Sequence, residues 1–366
     1  MYEGRRHLWQ EYDIGLFLAA IVTSLLGLAM IASATHNTPD LADSAQRQAV
    51  FLAIAVVLSI LMATLDYRLL TGAAVVFYLL GLAGLLLVDL MGSSQFGGQR
   101  WLALAGSKFQ PSEFMKPCLV LALAQYLGSR QGKPWRFRYV LVTALLVFPP
   151  ALLAYLQPDL SLAVEFLFVW ALLLFLGGIT AKQVILLALL AGLALPLVWV
   201  RLDPYMKARA LHFLHPGSDS ETSYIVNQAL ISIGSGSIWG KGYEAGSQSQ
   251  LHFLRVRHTD FIFSVIGEEL GFVGGVITLS LLAFISYRFF RIGQSTPDGP
   301  GRLLACGVGS FIALESIVHV GVNAGLLPVT GLPLPFISLG GSSLLVQFLS
   351  IGLAESVALR RRLARP

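Results

Sequence analysis

Charge is scarce in this chain of 366 residues: 12% are Asp, Glu, Lys or Arg, whereas 55% are hydrophobic. Soluble domains carry about a quarter charged residues, so the composition excludes an ordinary soluble globular protein. Cysteine is scarcer still. Cys118 and Cys306 lie in apolar stretches without the spacing of a metal site or a disulfide framework, and we interpret them as packing residues.

Several motifs of soluble enzymes are also missing. No His and Cys cluster has zinc-like spacing, and there is no Ser-centred nucleophile elbow. The Gly-rich run 234–242 is not a phosphate-binding P-loop, because Lys241 is followed by Gly242 rather than Ser or Thr. We therefore expect no nucleotide cofactor. We also expect no nucleic-acid partner, because the net charge of +5 is better explained by the placement of Lys and Arg described below.

The chain does contain apolar blocks of about 17 to 25 residues, the length of a helix that crosses a bilayer. The mean hydropathy is +0.72. The pattern predicts an all-α integral membrane protein, a single polytopic domain over 1–366 with about ten transmembrane helices in one bundle. The first block lacks a cleavage site, so we expect it to be retained. The predicted spans are 14–34, 49–65, 69–91, 112–127, 139–156, 160–177, 183–200, 261–287, 303–324 and 342–359.

Lys and Arg are distributed unevenly between the connecting segments. With the N-terminus inside, the inner segments hold fifteen, and the short outer loops hold only Arg47, Arg100 and Lys108. This bias predicts cytoplasmic N- and C-termini. A large extracytoplasmic loop, 201–260, then lies between helices 7 and 8, with helical patterns at 205–214 and 223–233. Three Gly-, Pro- and polar-rich loops are expected on the same side: 92–111, 157–159 and 325–341.

Ionisable residues at membrane helices are functional candidates, to be weighed against structural roles. Asp260 lies where the polar loop meets the eighth span, which suits a general base but equally suits a helix N-cap. Glu113 and Lys116 share one helix face and either form a structural ion pair or face a cavity. Asp159 follows Pro158 and resembles a cap.

Glu165 lies about one turn deeper than Asp159, and a polar stripe runs down the ninth span. Glu315, His319 and Asn323 recur at four-residue intervals, which either joins helices or lines a polar cavity. From the residues alone, a transporter fits these features as well as an enzyme does.

Six stretches in order along the chain carry a family resemblance. The run His258-Thr259-Asp260-Phe261-Ile262-Phe263 to Gly267-Glu268-Glu269-Leu270-Gly271 resembles the SEDS family (shape, elongation, division and sporulation), and Thr259 is more similar to its RodA branch than to FtsW. Further similar segments are 100–101, 110–113, 157–159, 227–242 and 325–343.

This resemblance implies a peptidoglycan glycosyltransferase for cell-wall elongation in the bacterial inner membrane, with an extracytoplasmic site. The implied substrate is lipid II, the partner a class B penicillin-binding protein, and the catalytic residue Asp260. A divalent cation, Mg²⁺ or Mn²⁺, is also expected, with Asp260 and Asp159 as candidate ligands. The alternatives are a lipid II flippase and a non-catalytic scaffold for the transpeptidase. The expected substrate or cavity residues are Glu113, Lys116, Arg100, Asp159, Lys241, His258, Thr259, Asn323, Ser338 and Ser342.

The chain departs from the family pattern just before Asp260. Relatives usually carry a Pro-Glu pair there, whereas this chain has Arg255, Val256 and Arg257 after Leu254. An acid is lost and two bases are gained, so any metal or acceptor contact made at this point is in question.

Overall fold

The computed structural model describes residues 9–95, 98–104, 107–130, 136–202, 204–214 and 221–361. Helices dominate this part of the chain. They are α1 (Ile14–Thr35), α2 (Ser44–Thr64), α3 (Tyr67–Gly72), α4 (Ala74–Met91), α5 (Pro111–Gly128), α6 (Phe137–Leu156), α7 (Leu160–Gly177), α8 (Ala181–Arg201), α9 (Pro204–Leu214), α10 (Glu221–Ser235), α11 (Ser247–Gln250), α12 (Ile262–Ser295), α13 (Gly299–Asn323) and α14 (Gly341–Arg360).

Nine of the ten predicted spans each coincide with one long helix, and the third, 69–91, is divided between the short α3 and the longer α4. The all-α membrane fold is confirmed. Within the described residues, nine helices are long and apolar enough to cross a membrane. The tenth, α5, falls outside this group since Glu113 and Lys116 interrupt its apolar sequence. Both side chains are buried inside the bundle, so α5 is polar where it contacts protein.

The centre of the bundle is formed by α5, α13 and α14, whose described side chains are mostly buried. Helix α14 packs against α2, and α13 packs against α5 and α12. Helix α8 differs from all of these because none of its residues is buried. Between Gln183 and Arg201 this unburied surface is apolar, and an apolar surface of this length is stable only in lipid or against another apolar surface.

A small antiparallel sheet occupies the loop predicted at 92–111. Its strands are β1 (Ser93–Gln95), β2 (Gly98–Leu104) and β3 (Ser107–Phe109), in the order β1-β2-β3. Short strands satisfy the backbone polar groups of a loop that has few helix-forming residues. The sequence did not predict these strands, and they leave the helical class unchanged.

The 201–260 segment contains both helices that its sequence predicts, α9 and α10. After them, the chain packs against a break in α12 at Gly271, where φ is 67°. A Cβ atom at Gly271 would lie 2.3 Å from the Gly240 nitrogen, so only glycine allows this approach. The break therefore serves to seat the Gly-rich segment 236–242 on α12.

Buried carboxylates hold the same segment in place. Glu268 accepts hydrogen bonds from the Lys241 ammonium at 2.8 Å and from the Gln248 amide at 2.9 Å. Glu269 accepts one from the Ser33 hydroxyl of α1 at 2.6 Å. Glu268 thus fixes the end of the large loop to α12, and Glu269 joins α12 to α1.

The loops predicted to share one side do meet at one end of the bundle. The Gln110 amide donates to the Ser342 hydroxyl at 3.2 Å, and the Ser161 hydroxyl donates to the Thr330 carbonyl at 2.9 Å. The segment before α12 joins them through the hydrogen bonds described next.

Candidate active site

The main chain of residues 258–260 is held by the loop that precedes α14. The Leu339 amide donates to the His258 carbonyl at 3.0 Å. The Ser338 hydroxyl donates to the Thr259 carbonyl at 2.7 Å and accepts from the Leu334 amide at 2.8 Å. The structure thus brings together the predicted residues Ser338, His258 and Thr259. The Ser338 hydroxyl holds the main chain of this segment in position.

Asn323 completes this arrangement from α13. Its amide nitrogen donates to the carbonyls of Asp260 and His319, both at 2.9 Å. Its oxygen accepts from the Ser264 amide at 3.1 Å and the Ser264 hydroxyl at 2.7 Å. Both donors and both acceptor lone pairs of this buried side chain are therefore used, and three of the four bonds join α13 to the start of α12. We call these contacts on residues 258–260, from Asn323, Ser338 and Leu339, the clamp.

Asp260 is not a helix cap, so that interpretation is wrong. Helix α12 begins at Ile262, with Phe261 at the N-cap position and no side-chain capping bond. Asn323 instead supplies the acceptor for the Ser264 amide. The Asp260 side chain, partly exposed, lies beside Gly331, where an added Cβ would be 3.8 Å from Oδ2. A partly exposed carboxylate on a fixed backbone is suited to proton transfer.

Lys116 lies at the centre of a buried cluster of charges, which we call the Lys116 cluster. Its ammonium contacts Glu113 at 2.9 Å, Glu315 at hydrogen-bond distance and Glu165 at 3.6 Å. The predicted Glu113–Lys116 pair is confirmed as a contact. The sequence did not predict that Glu165 and Glu315 join it, although their position inside membrane spans marked both as candidates.

Asp159 does cap a helix, as one of its two interpretations predicted. Its Oδ1 accepts a hydrogen bond from the Leu162 amide at 3.2 Å at the start of α7. The same residue lines a cavity of about 270 Å³ together with Glu165, Arg209 and Thr330. Asp159 therefore belongs to a cavity wall as well as to the helix terminus.

The remaining predicted residues lie in the surrounding framework. Lys241 binds Glu268 and Ser247, which anchors the large loop, and its side chain is 28% exposed. Ser342 accepts the Gln110 amide. The Arg100 side chain lies outside the described residues.

Of the two unusual basic residues before Asp260, Arg257 has a structural role. The buried Arg257 donates to the Ala34 carbonyl at 2.7 Å and the Thr38 hydroxyl at 2.8 Å, at the end of α1. Burial, together with the Arg257 charge, lowers the pKa of His258 below its usual 6.5. His258 is therefore neutral at pH 7.

The side chains around Asp260 do not form a closed metal cage. No group of three or more His, Cys, Asp or Glu residues suited to a metal ion occurs in the described part of the chain. One cap bond already occupies Asp159 Oδ1. The two candidate ligands, Asp260 and Asp159, fit only a hard cation such as Mg²⁺. Such a cation is commonly held by one or two carboxylates together with phosphate oxygens of a substrate.

Comparison with known proteins places this geometry in a family. Residues 14–363 match a family model described as cell cycle protein and named for FtsW, RodA and SpoVE. The chain is 32% identical to the peptidoglycan glycosyltransferase MrdB of Escherichia coli, over 98% of this chain and 97% of that protein.

Two solved structures show the same fold. One is a chain of a peptidoglycan synthase complex that coordinates polymerization and crosslinking, with 33% identity and a TM-score of 0.81 over 96% of this chain and 98% of that one. The other is the rod shape determining protein RodA of Thermus thermophilus, with 32% identity and a TM-score of 0.72 over the same shares. The chain therefore belongs to the FtsW, RodA and SpoVE family of cell cycle proteins, the SEDS family that its motifs resemble.

Proposed function

We propose that this protein is a peptidoglycan glycosyltransferase that polymerises lipid II into β-1,4-linked glycan strands for cell-wall elongation. Its similarity to MrdB extends over nearly the full length of both chains. The observation that carries the proposal is the position of Asp260, a partly exposed carboxylate on a main chain held by the clamp. A binding scaffold has no need of such a fixed carboxylate.

Asp260 acts as the general base. The acceptor hydroxyl of one saccharide attacks the anomeric carbon of another, and its proton passes to the Asp260 carboxylate. The new carbon–oxygen bond forms as the bond to the lipid pyrophosphate breaks. Because pyrophosphate is already a good leaving group, one base suffices, unlike the two carboxylates of glycosidases.

The other charges divide into separate roles. Lys116 is engaged by three carboxyl groups, so it shapes the interior and does not bind the leaving group. A divalent cation, Mg²⁺ or Mn²⁺, held by Asp260 or Asp159 together with substrate phosphates, would offset the charge of the departing pyrophosphate. Arg100 stays a prediction for the same role, because its side chain lies outside the described residues.

The proposed partner is a class B penicillin-binding protein, which would crosslink the new strand. The related chain in the peptidoglycan synthase complex supports this pairing. The charge bias of the loops supports cytoplasmic termini and an extracytoplasmic site, where the clamp and the large loop lie. Lipid II flipping is the alternative, and it requires no base.

The test is a polymerisation assay of the purified protein with its partner, lipid II and Mg²⁺ or Mn²⁺. Wild type is expected to give long glycan products, and Asp260→Asn, which keeps the size of the side chain, is expected to give none. The general-base contribution corresponds to roughly 10²- to 10⁴-fold in rate. Equal activity in both proteins would remove Asp260 as the base. Lack of product from wild type, with translocation of labelled lipid II in vesicles, would favour the flippase.

A further inference from the structure

The large loop carries an exposed apolar patch where it packs on α12. Ile238 and Trp239 of the Gly-rich segment are 59% and 79% exposed, and Phe272 of α12 is 69% exposed. Their main chains are adjacent, because the Phe272 amide donates to the Ser237 carbonyl at 2.9 Å and the Val273 amide donates to the Ile238 carbonyl at 3.1 Å. We call Ile238, Trp239 and Phe272 the loop patch. An exposed apolar patch of this kind marks a surface that interacts with another molecule or with lipid.

The ion pair of Asp13 and Arg288 provides a reference height in the bundle. Arg288 Nε donates to Asp13 Oδ2 at 2.8 Å, and Asp13 caps the start of α1. The pair therefore marks one level that α1 and α12 share. Because charged groups are costly in hydrocarbon, this level lies at or outside one boundary of the hydrocarbon layer, which is about 30 Å thick.

The height of the loop patch follows from α12. Phe272 lies 16 positions before Arg288, and the helix between them is unbroken. At the rise of an α-helix, Phe272 is at most about 24 Å above the ion pair, and any tilt of α12 lowers it further. Phe272 therefore lies within the hydrocarbon layer, and the main chain of Ile238 lies beside it.

Helix α1 gives the same depth independently. The Tyr243 hydroxyl donates to the Ala29 carbonyl at 3.0 Å. Ala29 lies 16 positions after Asp13, which again corresponds to about 24 Å above the ion pair. The loop thus reaches the same level on two helices, at Ile238 against α12 and at Tyr243 against α1.

The main chain of this part of the loop is paired as membrane depth requires. Irregular backbone at such a depth is stable only where protein satisfies its polar groups. The Lys241 and Gly242 amides donate to the carbonyls of Glu268 and Glu269, both at 3.0 Å. Together with the two bonds from Phe272 and Val273, these contacts turn the polar main chain toward α12 and leave apolar side chains outward.

We propose that residues 237–243 form a re-entrant segment whose partner is the lipid of the leaflet distant from the Asp13–Arg288 pair. The loop patch inserts among the acyl chains of that leaflet, and the Trp239 indole lies at its headgroup boundary, where Trp is favoured. This inference goes beyond the proposed function and does not depend on it. The large loop, predicted to lie wholly outside the bilayer, is then anchored in the membrane shortly before Asp260.

Leu251 is the matched control within the same loop, because it is also exposed, at 64%, but lies at a different height. Its neighbour Gln250 donates to the Ser33 carbonyl at 3.1 Å. On its other side, His252 contacts the Asn37 carbonyl at 3.2 Å. These contacts lie at the far end of α1, whose 22 residues make it about 33 Å long. Leu251 is therefore at or beyond the hydrocarbon boundary.

The test measures the depth of single positions in lipid nanodiscs. A cysteine carrying the fluorophore NBD is placed by Trp239→Cys, Leu251→Cys or Phe272→Cys in a chain whose Cys118 and Cys306 are replaced by Ala. Spin-labelled phospholipids quench a label in the bilayer, and iodide quenches a label in water. At position 239 we expect blue-shifted emission and stronger quenching by lipid than by iodide, as at position 272. At position 251 we expect the reverse.

A second labelled position and the partner complete the test. Ile238→Cys replaces Trp239→Cys if that variant fails to fold, and the same quenching by lipid is expected. Iodide quenching at position 239 as strong as at position 251 would overturn the proposal. Loss of lipid quenching at position 239 when the class B penicillin-binding protein is added would also overturn it, since that protein would then cover the loop patch. Quenching does not require glycosyl transfer, so failure of the proposed function leaves this test intact.

Discussion

The clamp and the Lys116 cluster are both polar regions within one apolar bundle, yet they are built on opposite principles. The clamp uses neutral groups, the Asn323 amide and the Ser338 hydroxyl, to hold main-chain carbonyls. The Lys116 cluster brings ionisable side chains together and buries them. Neutral contacts fix a backbone at low cost, whereas buried charges depend strongly on each partner. The clamp can thus hold Asp260 in place while its carboxylate stays partly exposed.

Removing Lys116 should have the largest effect on stability. Lys116→Met leaves Glu113, Glu165 and Glu315 without a cation, and the expected loss is about 3–5 kcal/mol in the free energy of unfolding. Unfolding in detergent measures it. Lys241→Met is the control, expected to lose about 1.5–3 kcal/mol, the value of one hydrogen bond to a charged group. Glu268 would still accept the Gln248 and Ser249 amides. Similar losses in the two variants would mean that burial of the Lys116 cluster does not determine how much Lys116 contributes to the free energy of unfolding.

Breaking the clamp at Asn323 should come next. Asn323→Leu removes the donor to the Asp260 carbonyl and the acceptor for the Ser264 amide, and we expect a loss of about 1–3 kcal/mol in stability. Polymerisation should show a lower kcat with little change in KM, because Asp260 is displaced while substrate contacts remain. A changed KM with normal kcat would contradict a positioning role. Ser310→Ala, elsewhere on α13, is the control, since its hydroxyl bonds only to its own helix.

A smaller effect is expected at Gly331, beside the Asp260 carboxylate. Its φ of +76° disfavours any side chain, so Gly331→Ala should cost about 1–2 kcal/mol in stability. Gly192→Ala on α8 is the control. A Cβ there meets nothing within 4 Å, and alanine favours helix by about 1 kcal/mol. Unfolding midpoints that fall for both variants would refute the role of the positive φ.

The smallest effect concerns pH. The pKa of His258 is lowered by burial, so the unfolded chain binds more protons than the folded protein as pH falls below 6.5. Stability from this residue is complete above pH 6.5 and declines below it. Unfolding midpoints at pH 7.5 and 5.5 measure this, with His258→Gln as reference. If the pH dependence is the same in the variant, His258 is not its source.

The sequence predicted the helices far better than it predicted the contacts among them. Apolar length identified ten spans because a backbone in lipid must satisfy its own hydrogen bonds. The cost of placing ionisable groups at membrane helices also identified Glu113, Lys116 and Asp260 as functional candidates. It could not distinguish a cap from a base at Asp260, because both use a carboxylate at the same boundary. Asn323, which takes the capping role instead, lies 63 positions after Asp260 in the chain.

By itself, the sequence determined the membrane class, the spans, the two helices of the large loop and, through its motifs, the family. Those features depend on local composition and spacing. Only the tertiary structure decided that Asn323 takes the capping role, that Glu165 and Glu315 share Lys116, and that Gly240 packs into the break at Gly271. Each depends on residues that are far apart in sequence, whose approach is set by packing of the whole bundle.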